Sequence, residues 1–360
     1  MTSDPKWPRL AERHTAYEHW LEAEGVPVHR GSAVANLHEL ELGPWPRLGG
    51  SGAYATLADQ QDADSYVVEI PAGGTLNGER HLFEELTYVL SGRGTTEVWQ
   101  EDGDPRRTLE WQRGSVFAMP LNAAHRHHNT SGKEPARLYA VTSLPKMLNL
   151  VRDRDFIFKN PWRFRERFDA QSEYFTDPGQ DLGQRQWKTN FIPDVRSFEL
   201  KTWAARGGKG TNRMFSLASS AMAAHISQFS VGTYKKAHRH GAGAHVIILN
   251  GTGYSLLWEE GQPRRKIPWR EGSVLSPADK EFHQHFNTGG DPARYLAFRW
   301  NNAEFPIEGF DHYTRRMEGG DQIEYENEDP RVREEYEAEL RGAGVRSLMD
   351  EVAPRQPARA

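Results

Sequence analysis

Short stretches of hydrophobic residues, rich in β-branched and aromatic side chains, recur along the chain and are separated by Gly, Pro, Asn and Asp. Residues 65–70, 86–90 and 244–249 are examples. Segments of this length, bounded at close intervals by turn-forming residues, are typical of strands in an antiparallel sandwich or barrel. The pattern therefore predicts a protein built mainly from β-strands.

Helical periodicity occurs mainly outside the strand-rich regions, in residues 15–24, 152–173 and 330–341. Asp329 followed by Pro330 is a helix-start signal, and Gly342 is a stop signal. The last residues, 353–360, are rich in proline and charge. This composition predicts a disordered tail.

The chain contains an internal repeat. Gly92-Arg-Gly-Thr-Thr-Glu-Val-Trp99 matches Gly251-Thr-Gly-Tyr-Ser-Leu-Leu-Trp258, and further landmarks follow in the same order on both sides. Upstream, Trp45-Pro-Arg-Leu-Gly-Gly corresponds to Trp203-Ala-Ala-Arg-Gly-Gly. A repeat of this length indicates two homologous domains. We place the N-terminal extension and first domain at 1–148, a helical linker at 149–185, the second domain at 186–318 and a C-terminal helix and tail at 319–360.

The composition of the chain limits which partners and which metal ligands are expected. The chain has 360 residues, enough for about two domains of ordinary size, and a formal net charge of −5 without long blocks of like charge. We therefore expect no nucleic acid and no membrane partner. There is no cysteine, so disulfides and thiolate ligands are excluded, while 15 histidines remain available. No apolar run approaches the ~20 residues that cross a bilayer, and we expect a cytoplasmic protein.

Histidines are spaced as metal ligands in the second copy. His238 and His240 are two residues apart, so on a strand their imidazoles point to the same face. His283, on a distant strand, can complete a facial set that leaves open coordination positions. His245 follows the flexible bend at residues 241–243 and is a further candidate ligand, although it adjoins Ala244 on a strand and neighbouring residues point to opposite faces.

The first copy aligns with a different set of candidate ligands. Glu79, His81 and Glu85 occupy the segment that corresponds to the paired histidines, and His125 corresponds to His283. The set offers two imidazoles and up to two carboxylates. We predict a metal site in each copy, with harder ligands in the first.

These residues resemble the two motifs of the cupin superfamily. The second motif is matched by Gly114, Pro120, His125 and Asn129 in one copy, and by Gly272, Pro277, His283 and Asn287 in the other. The first motif departs from the pattern in both copies, because Glu79 replaces its first histidine and Ala244 stands in its glutamate position. The resemblance implies an all-β protein of two tandem cupin barrels (double-stranded β-helix or jelly roll) with peripheral helices.

The departures point towards a function. With Ala244 in the glutamate position, the second site resembles the three-histidine ferrous sites of gentisate 1,2-dioxygenase-like bicupins. We predict an Fe(II) dioxygenase that acts on a small aromatic or otherwise oxidisable carboxylate with O₂, with His238, His240 and His283 as the catalytic set. Open coordination positions would admit substrate and O₂ together. Mn, Ni, Cu and Zn are alternative metals, and a homo-oligomer is an open expectation.

Two alternatives remain open. Glu79 and Glu85 also suit a manganese-dependent decarboxylase, or a metal-assisted lyase or isomerase, of the type that resembles oxalate decarboxylase. A non-enzymatic binding protein, like the bicupin seed-storage proteins, is the other alternative.

Overall fold

The computed structural model describes residues 15–58, 62–241, 244–300, 302, 304 and 321–354. Within these residues the chain is built mainly from strands with a few peripheral helices, which confirms the predicted all-β class. No helix in the described part of the chain is long and apolar enough to span a membrane.

The first half forms one barrel from two sheets. Its strands are β1 (Val28–Gly31), β2 (Ala33–Val34), β3 (Gly43–Trp45), β4 (Gly50–Leu57), β5 (Asp64–Ile70), β6 (Glu85–Ser91), β7 (Arg93–Trp99), β8 (Arg107–Gln112), β9 (Val116–Met119), β10 (Ala124–Asn129) and β11 (Ala136–Thr142). The larger sheet has the order β1-β4-β5-β11-β6-β9, with β3 on β4, and the smaller sheet has the order β10-β7-β8. Side chains of both sheets share one buried hydrophobic cluster.

The second half repeats this arrangement. Its strands are β12 (Gln180–Gly183), β13 (Gln186–Thr189), β14 (Phe191–Ile192), β15 (Lys201–Thr202), β16 (Thr211–Leu217), β17 (Met222–Phe229), β18 (Ala237–His238), β19 (Ala244–Asn250), β20 (Gly253–Trp258), β21 (Arg265–Trp269), β22 (Val274–Leu275), β23 (Phe282–Asn287), β24 (Ala293–Trp300) and β25 (Gln322–Ile323). The larger sheet has the order β12-β13-β16-β17-β24-β19-β22, with β15 on β16, and the smaller has the order β21-β20-β23-β18-β25.

Strand pairing in the two halves follows the alignment of the repeat. In the first half β10 pairs with β7, and His125 lies opposite Val98. In the second half β23 pairs with β20, and His283 lies opposite Leu257, which the alignment matches to Val98. Because a shift of one residue would turn every side chain to the other face, this agreement places the two histidines in equivalent directions.

Two short strands are exchanged between the halves. Strand β2 pairs with β22 of the second barrel, and β14 pairs with β9 of the first. Each half therefore completes a sheet of the other. The predicted domain limits at 148 and 186 stay a prediction, but both exchanged strands lie in the segment assigned to the opposite barrel.

Alternation along β19 shows how the barrels pack together. Ala244, Val246 and Ile248 belong to the core of the second barrel. Ile247 and Leu249 point the other way and join the large cluster that includes the core of the first barrel. Both faces of this strand are therefore buried, as its continuous hydrophobic run requires.

The helices are α1 (Ala16–Glu24), α2 (Leu144–Val151), α3 (Arg154–Phe158), α4 (Pro330–Ala343) and α5 (Met349–Val352), with 3₁₀ turns at Ala204–Arg206 and Tyr325–Asn327. Helix α1 begins with a capping box at Thr15, and α4 begins after Asp329, as the sequence predicts. The left-handed residue that ends α4 is Gly344, and the helix continues through the predicted stop at Gly342. Residues 355–360 of the predicted tail lie outside the described residues.

The linker is less helical than its periodicity predicts. Within residues 152–173 only α3 is an α-helix, and the chain beyond it has turns and irregular structure. Pro161 disfavours helical backbone at the residue before it. Further on, Phe168 is buried and Arg167 forms two hydrogen bonds to Glu84 of the first barrel. Tertiary contacts therefore decide the path of this segment.

Candidate metal centres

Backbone pairing brings the first set of candidate ligands together. Glu79 and His125 form an antiparallel bridge, with N–O distances of 3.0 and 2.8 Å, so both side chains leave the same face. His81 lies two residues after Glu79 and joins them. One ligand atom from each of the three residues lies within 4.8 Å of the others.

Each histidine of this first centre has one ring nitrogen that forms a polar contact and one that has no hydrogen-bond partner among the described residues. His81 Nδ1 lies 3.0 Å from the Phe83 carbonyl oxygen, and His125 Nδ1 lies 3.3 Å from the Ala123 carbonyl oxygen. A carbonyl only accepts, so each Nδ1 carries the proton and each Nε2 keeps its lone pair. Both Nε2 atoms are buried, and neither has a hydrogen-bond partner among the described residues. This is the state in which imidazole binds a metal, and the residues therefore fit a divalent ion.

The protonation states of the three residues in the first centre also suit metal binding. Glu79 Oε1 lies 3.8 Å from His125 Nε2, while Glu79 Oε2 accepts a 2.5 Å hydrogen bond from Arg47 Nη1. Burial by itself would raise the pKa of Glu79, but Arg47, through its charge and its hydrogen bond, holds that pKa well below the usual value. Burial lowers the pKa of His81 to about 3, and that of His125 also falls below its usual value. The centre therefore combines one carboxylate with two neutral imidazoles.

Glu85 adds a second carboxyl group beside this centre. Its Oε2 lies 3.7 Å from His81 Nε2 and accepts a hydrogen bond of 2.9 Å from the Tyr66 hydroxyl. Burial, together with the charge of Glu79, raises the pKa of Glu85 to about 8. The two predicted carboxylates therefore differ, because Glu79 is ionised and Glu85 holds a proton at neutral pH.

The second centre has the same backbone frame. His238 lies opposite His283 in the pairing of β18 with β23, as Glu79 lies opposite His125. His240 lies two residues further along, and one ligand atom of each histidine lies within 4.8 Å of the others. The structure therefore brings together the three histidines that the sequence predicts as catalytic.

The environments of these three histidines differ. His240 Nδ1 lies 3.1 Å from the Gly241 carbonyl oxygen, and His283 Nδ1 lies 3.1 Å from that of Glu281, so both resemble the histidines of the first centre. At His238 the group beside Nδ1 is Arg206 Nη2, a hydrogen-bond donor. Burial, followed by the charge of Arg206, lowers the pKa of His238 well below its usual value. Two of the three histidines thus fit a metal ion, and His238 in this arrangement does not.

His245 does not join the other three histidines. It follows Ala244, whose side chain belongs to the core of the second barrel, and therefore points to the opposite face of β19. There its Nδ1 lies 3.0 Å from the Tyr139 hydroxyl of the first barrel. The interpretation of His245 as a fourth ligand disagrees with this position, since the alternation of the strand turns it towards the barrel interface.

The two centres open into different spaces. A cavity of about 790 Å³ lies against Glu79 and is lined by Trp20, Arg47, Trp99 and Arg126. The second centre adjoins a cavity of about 40 Å³, whose lining residues include His238, His240, Arg206, Arg299 and Tyr295. The first centre therefore has room for a substrate, whereas the second has room only for a very small ligand beside several cationic groups.

The sequence patterns did not predict the two arginines that lie at these centres. Arg47 contacts Glu79, and Arg206 contacts His238. Both lie in the matching segments that begin at Trp45 and Trp203, so the repeat contained a signal. Nothing in the spacing, however, tells which side chain each arginine meets.

Comparison with known proteins agrees with this geometry. Residues 66–142 match the family described as Cupin domain. An uncharacterised protein of Streptomyces coelicolor is 31% identical over 110 residues, which cover 31% of this chain and 94% of that protein. The chain belongs to the cupin superfamily. Since both halves carry the barrel, it is a bicupin.

Solved structures show the same two-barrel fold. A deletion mutant of Bacillus subtilis oxalate decarboxylase has a TM-score of 0.50 and 14% identity, over 75% of this bicupin and 77% of that chain. A second mutant of that enzyme, substituted in four consecutive residues, has a TM-score of 0.51 and 14% identity, over 77% and 79% of the chains. At this identity the likeness shows the fold alone. The finer resemblance to gentisate dioxygenases stays a prediction.

Proposed function

We propose that this bicupin is an iron(II)-dependent dioxygenase that oxidises a small carboxylate, with Glu79, His81 and His125 as the iron ligands. The observation that carries the proposal is the pair of buried Nε2 atoms, without a hydrogen-bond partner among the described residues, beside an ionised carboxylate. Two histidines and one carboxylate with open positions form the facial triad of non-haem iron(II) oxygenases. When bound, iron(II) would supply the redox chemistry with O₂.

The protein groups around this centre support an anionic substrate. Arg126 lines the cavity, and no carboxylate in the described residues lies within ion-pair distance of it. Trp20 and Trp99 lie in the wall of the same cavity, and Arg126 packs over the ring of Trp99. Arg126 would bind the carboxylate of the substrate and orient it beside Glu79.

The sequence assigns catalysis to His238, His240 and His283, and that assignment stays a rival prediction. It rests on three imidazoles close together and on a cavity with cationic walls. Location in the cytoplasm and assembly into a homo-oligomer also stay predictions.

Oxygen uptake tests the proposed reaction. The protein is loaded anaerobically with ferrous iron, its iron content is measured, and a panel of hydroxybenzoates and aliphatic hydroxy acids is added with air. We expect substrate-dependent O₂ consumption in at least one case. No uptake with any member of the panel, at full iron occupancy, would contradict the proposal.

A matched pair of variants distinguishes the two centres. His81→Ala removes a ligand of the first centre, and His240→Ala removes the equivalent residue of the second. We expect His81→Ala to abolish turnover and to lower iron content, and His240→Ala to retain most of the turnover. The opposite result would support the rival assignment.

A manganese-dependent decarboxylase is the second candidate function, and Glu85 favours it. Decarboxylation of an acid to a simpler acid consumes a proton, and the buried Glu85 carboxyl group, with its pKa raised to about 8, holds one beside the centre. This reaction would release CO₂ from a small dicarboxylate without net O₂ consumption. Measuring both gases with manganese-loaded and iron-loaded protein separates the two functions.

A further inference from the structure

An arginine contacts the same ligand position in both halves. Glu79 and His238 are equivalent, since each lies opposite the histidine of the second motif. Arg47 donates to Glu79, and Arg206 donates to His238. The two arginines lie in corresponding segments, two residues after Trp45 and three residues after Trp203. The frame of the site is therefore conserved between the halves, while the acceptor in this position differs.

The two acceptors have different capacities. A carboxylate has two oxygen atoms and about four lone-pair positions, so Glu79 can accept from Arg47 through Oε2 and still offer Oε1. An imidazole has only two nitrogen atoms, and a neutral ring has only one acceptor. An arginine side chain never accepts a hydrogen bond. The one acceptor nitrogen of His238 must therefore accept the hydrogen bond from Arg206.

This conflict holds for either ring nitrogen of His238. If Nδ1 faces the other two histidines, Arg206 already occupies the atom that would bind a metal ion. If Nε2 faces them, Nε2 carries the proton and has no lone pair to offer. His240 and His283 escape the conflict because their Nδ1 atoms face carbonyl oxygens.

Arg206 is held firmly in this position. Its side chain is buried, and Nη1 donates a 2.8 Å hydrogen bond to Gln322 Oε1. Gln322 in turn donates to the Ala205 carbonyl oxygen at 3.2 Å and to Glu324 at 2.8 Å. The contact with His238 is therefore part of a buried network and not a chance position of an exposed side chain.

We infer that Arg206 competes with metal for His238, so that the second centre binds a divalent ion tightly only when Arg206 leaves this hydrogen bond. The first centre consequently fills with metal before the second. Arg206 therefore weakens metal binding in the second barrel, and its removal would free His238 to act as the third histidine ligand.

The tautomer of His238 gives a test without metal or turnover. In metal-free, full-length protein labelled with ¹⁵N-histidine, long-range ¹H–¹⁵N spectra report which ring nitrogen carries the proton. We expect the Nε2–H form at His238 and the Nδ1–H form at His240 and His283. The His238 signal is identified by its loss in His238→Gln. An Nδ1–H form at His238 would overturn the inference.

Metal affinity gives the second test. The full-length His81→Ala protein, in which the first centre is weakened, is titrated with Co²⁺ and followed by its visible absorption. Adding Arg206→Met should tighten binding about tenfold or more, the range expected when a charge-assisted hydrogen bond no longer competes. Arg239→Met is the control, because Arg239 adjoins His238 in sequence but binds Asp321 and Glu260. We expect no change with it.

Unchanged or weaker Co²⁺ binding in a folded Arg206→Met protein would contradict the inference. If that variant fails to fold, Gln322→Ala removes the hydrogen bond that holds Arg206 Nη1 and should tighten binding in the same direction by a smaller factor. Neither test measures turnover, so the proposed dioxygenase activity can fail while this inference stands, and the reverse also holds.

Discussion

Buried histidines are expected to make the metal-free protein sensitive to mild acid. Seven lie in the described interior: His81, His125, His127, His240, His245, His283 and His285. Burial is the largest cause of a lowered pKa in all seven, and the values for four of them fall to about 3. In the unfolded chain the same residues titrate near their ordinary pKa of about 6.5.

The sign and size of the effect follow from proton linkage. Below pH 6.5 the unfolded chain binds more protons than the folded protein, so the free energy of unfolding falls as the pH falls through this value. From pH 7 to 5.5, each of the five histidines whose pKa falls to about 3 or about 4 removes about 1.2 kcal/mol, together about 6 kcal/mol. His125 and His283 add to this loss in the same direction. Glu85 and Asp64 act in the opposite direction, because burial raises their pKa values to about 8 and about 6. They return about 3 kcal/mol over the same range.

The net loss of at least about 3 kcal/mol is a large part of the stability of an ordinary domain, about 5–15 kcal/mol. Urea unfolding of metal-free protein at pH 7.0, 6.5, 6.0 and 5.5 measures this loss directly. We expect the midpoint to fall and the unfolding reaction to take up at least about three protons at pH 5.5. If His81 and His125 bind metal as proposed, saturating Zn²⁺ should shift the loss to lower pH, because such a site exists only in the folded protein.

A matched pair of variants checks the reasoning. His127→Gln replaces a buried histidine and should reduce proton uptake by about one, whereas His19→Gln, at a position that is 63% exposed, should leave it unchanged. Stability that stays flat between pH 7 and 5.5, or an uptake of fewer than about two protons, would show that the buried histidines are not neutral in the folded protein.

Two further predictions concern single contacts. One joins the two barrels, and the other joins the linker to the first barrel. Tyr139→Phe removes the hydrogen bond to His245 between the barrels and should lower the free energy of unfolding by about 1–3 kcal/mol in urea titrations; Tyr174→Phe, where the buried hydroxyl has no hydrogen-bond partner among the described residues, should cost little. Arg167→Met leaves the buried Glu84 carboxylate without its two guanidinium hydrogen bonds and should destabilise by about 3 kcal/mol, whereas a change of under about 0.5 kcal/mol would refute the role of this ion pair.

Much of the fold was predictable because the repeat carries its own register. The landmark at Trp99 and Trp258, followed by the histidines of the second motif, fixes which residues face each other across β7 and β10, and across β20 and β23. With a period of two residues along a strand, the direction of His125 and His283 then follows. The convergence of the candidate ligands could therefore be read from spacing alone.

The exchanged strands could not be predicted in this way. Strands β2 and β14 contain two residues each, which is too short for any periodic signal, and their pairing depends on the distant strands β22 and β9. The prediction of a helical linker was wrong for a related reason. Its helical periodicity competes with contacts such as that of Arg167 with Glu84, and local pattern contains no information about a residue 83 positions away.

The comparison of Glu79 with His238 shows why ligand type alone misjudges the two centres. In the sequence, Glu79 leaves the first centre with one imidazole fewer, and catalysis is assigned to the three histidines of the second centre. In the structure an arginine approaches this position in both halves, and the acceptor must serve both the arginine and a metal ion. A carboxylate can do this and a neutral imidazole cannot. Glu79 therefore leaves a set of ligands beside Arg47 that fits a metal ion, whereas the intact histidine at residue 238 uses its only acceptor nitrogen for Arg206.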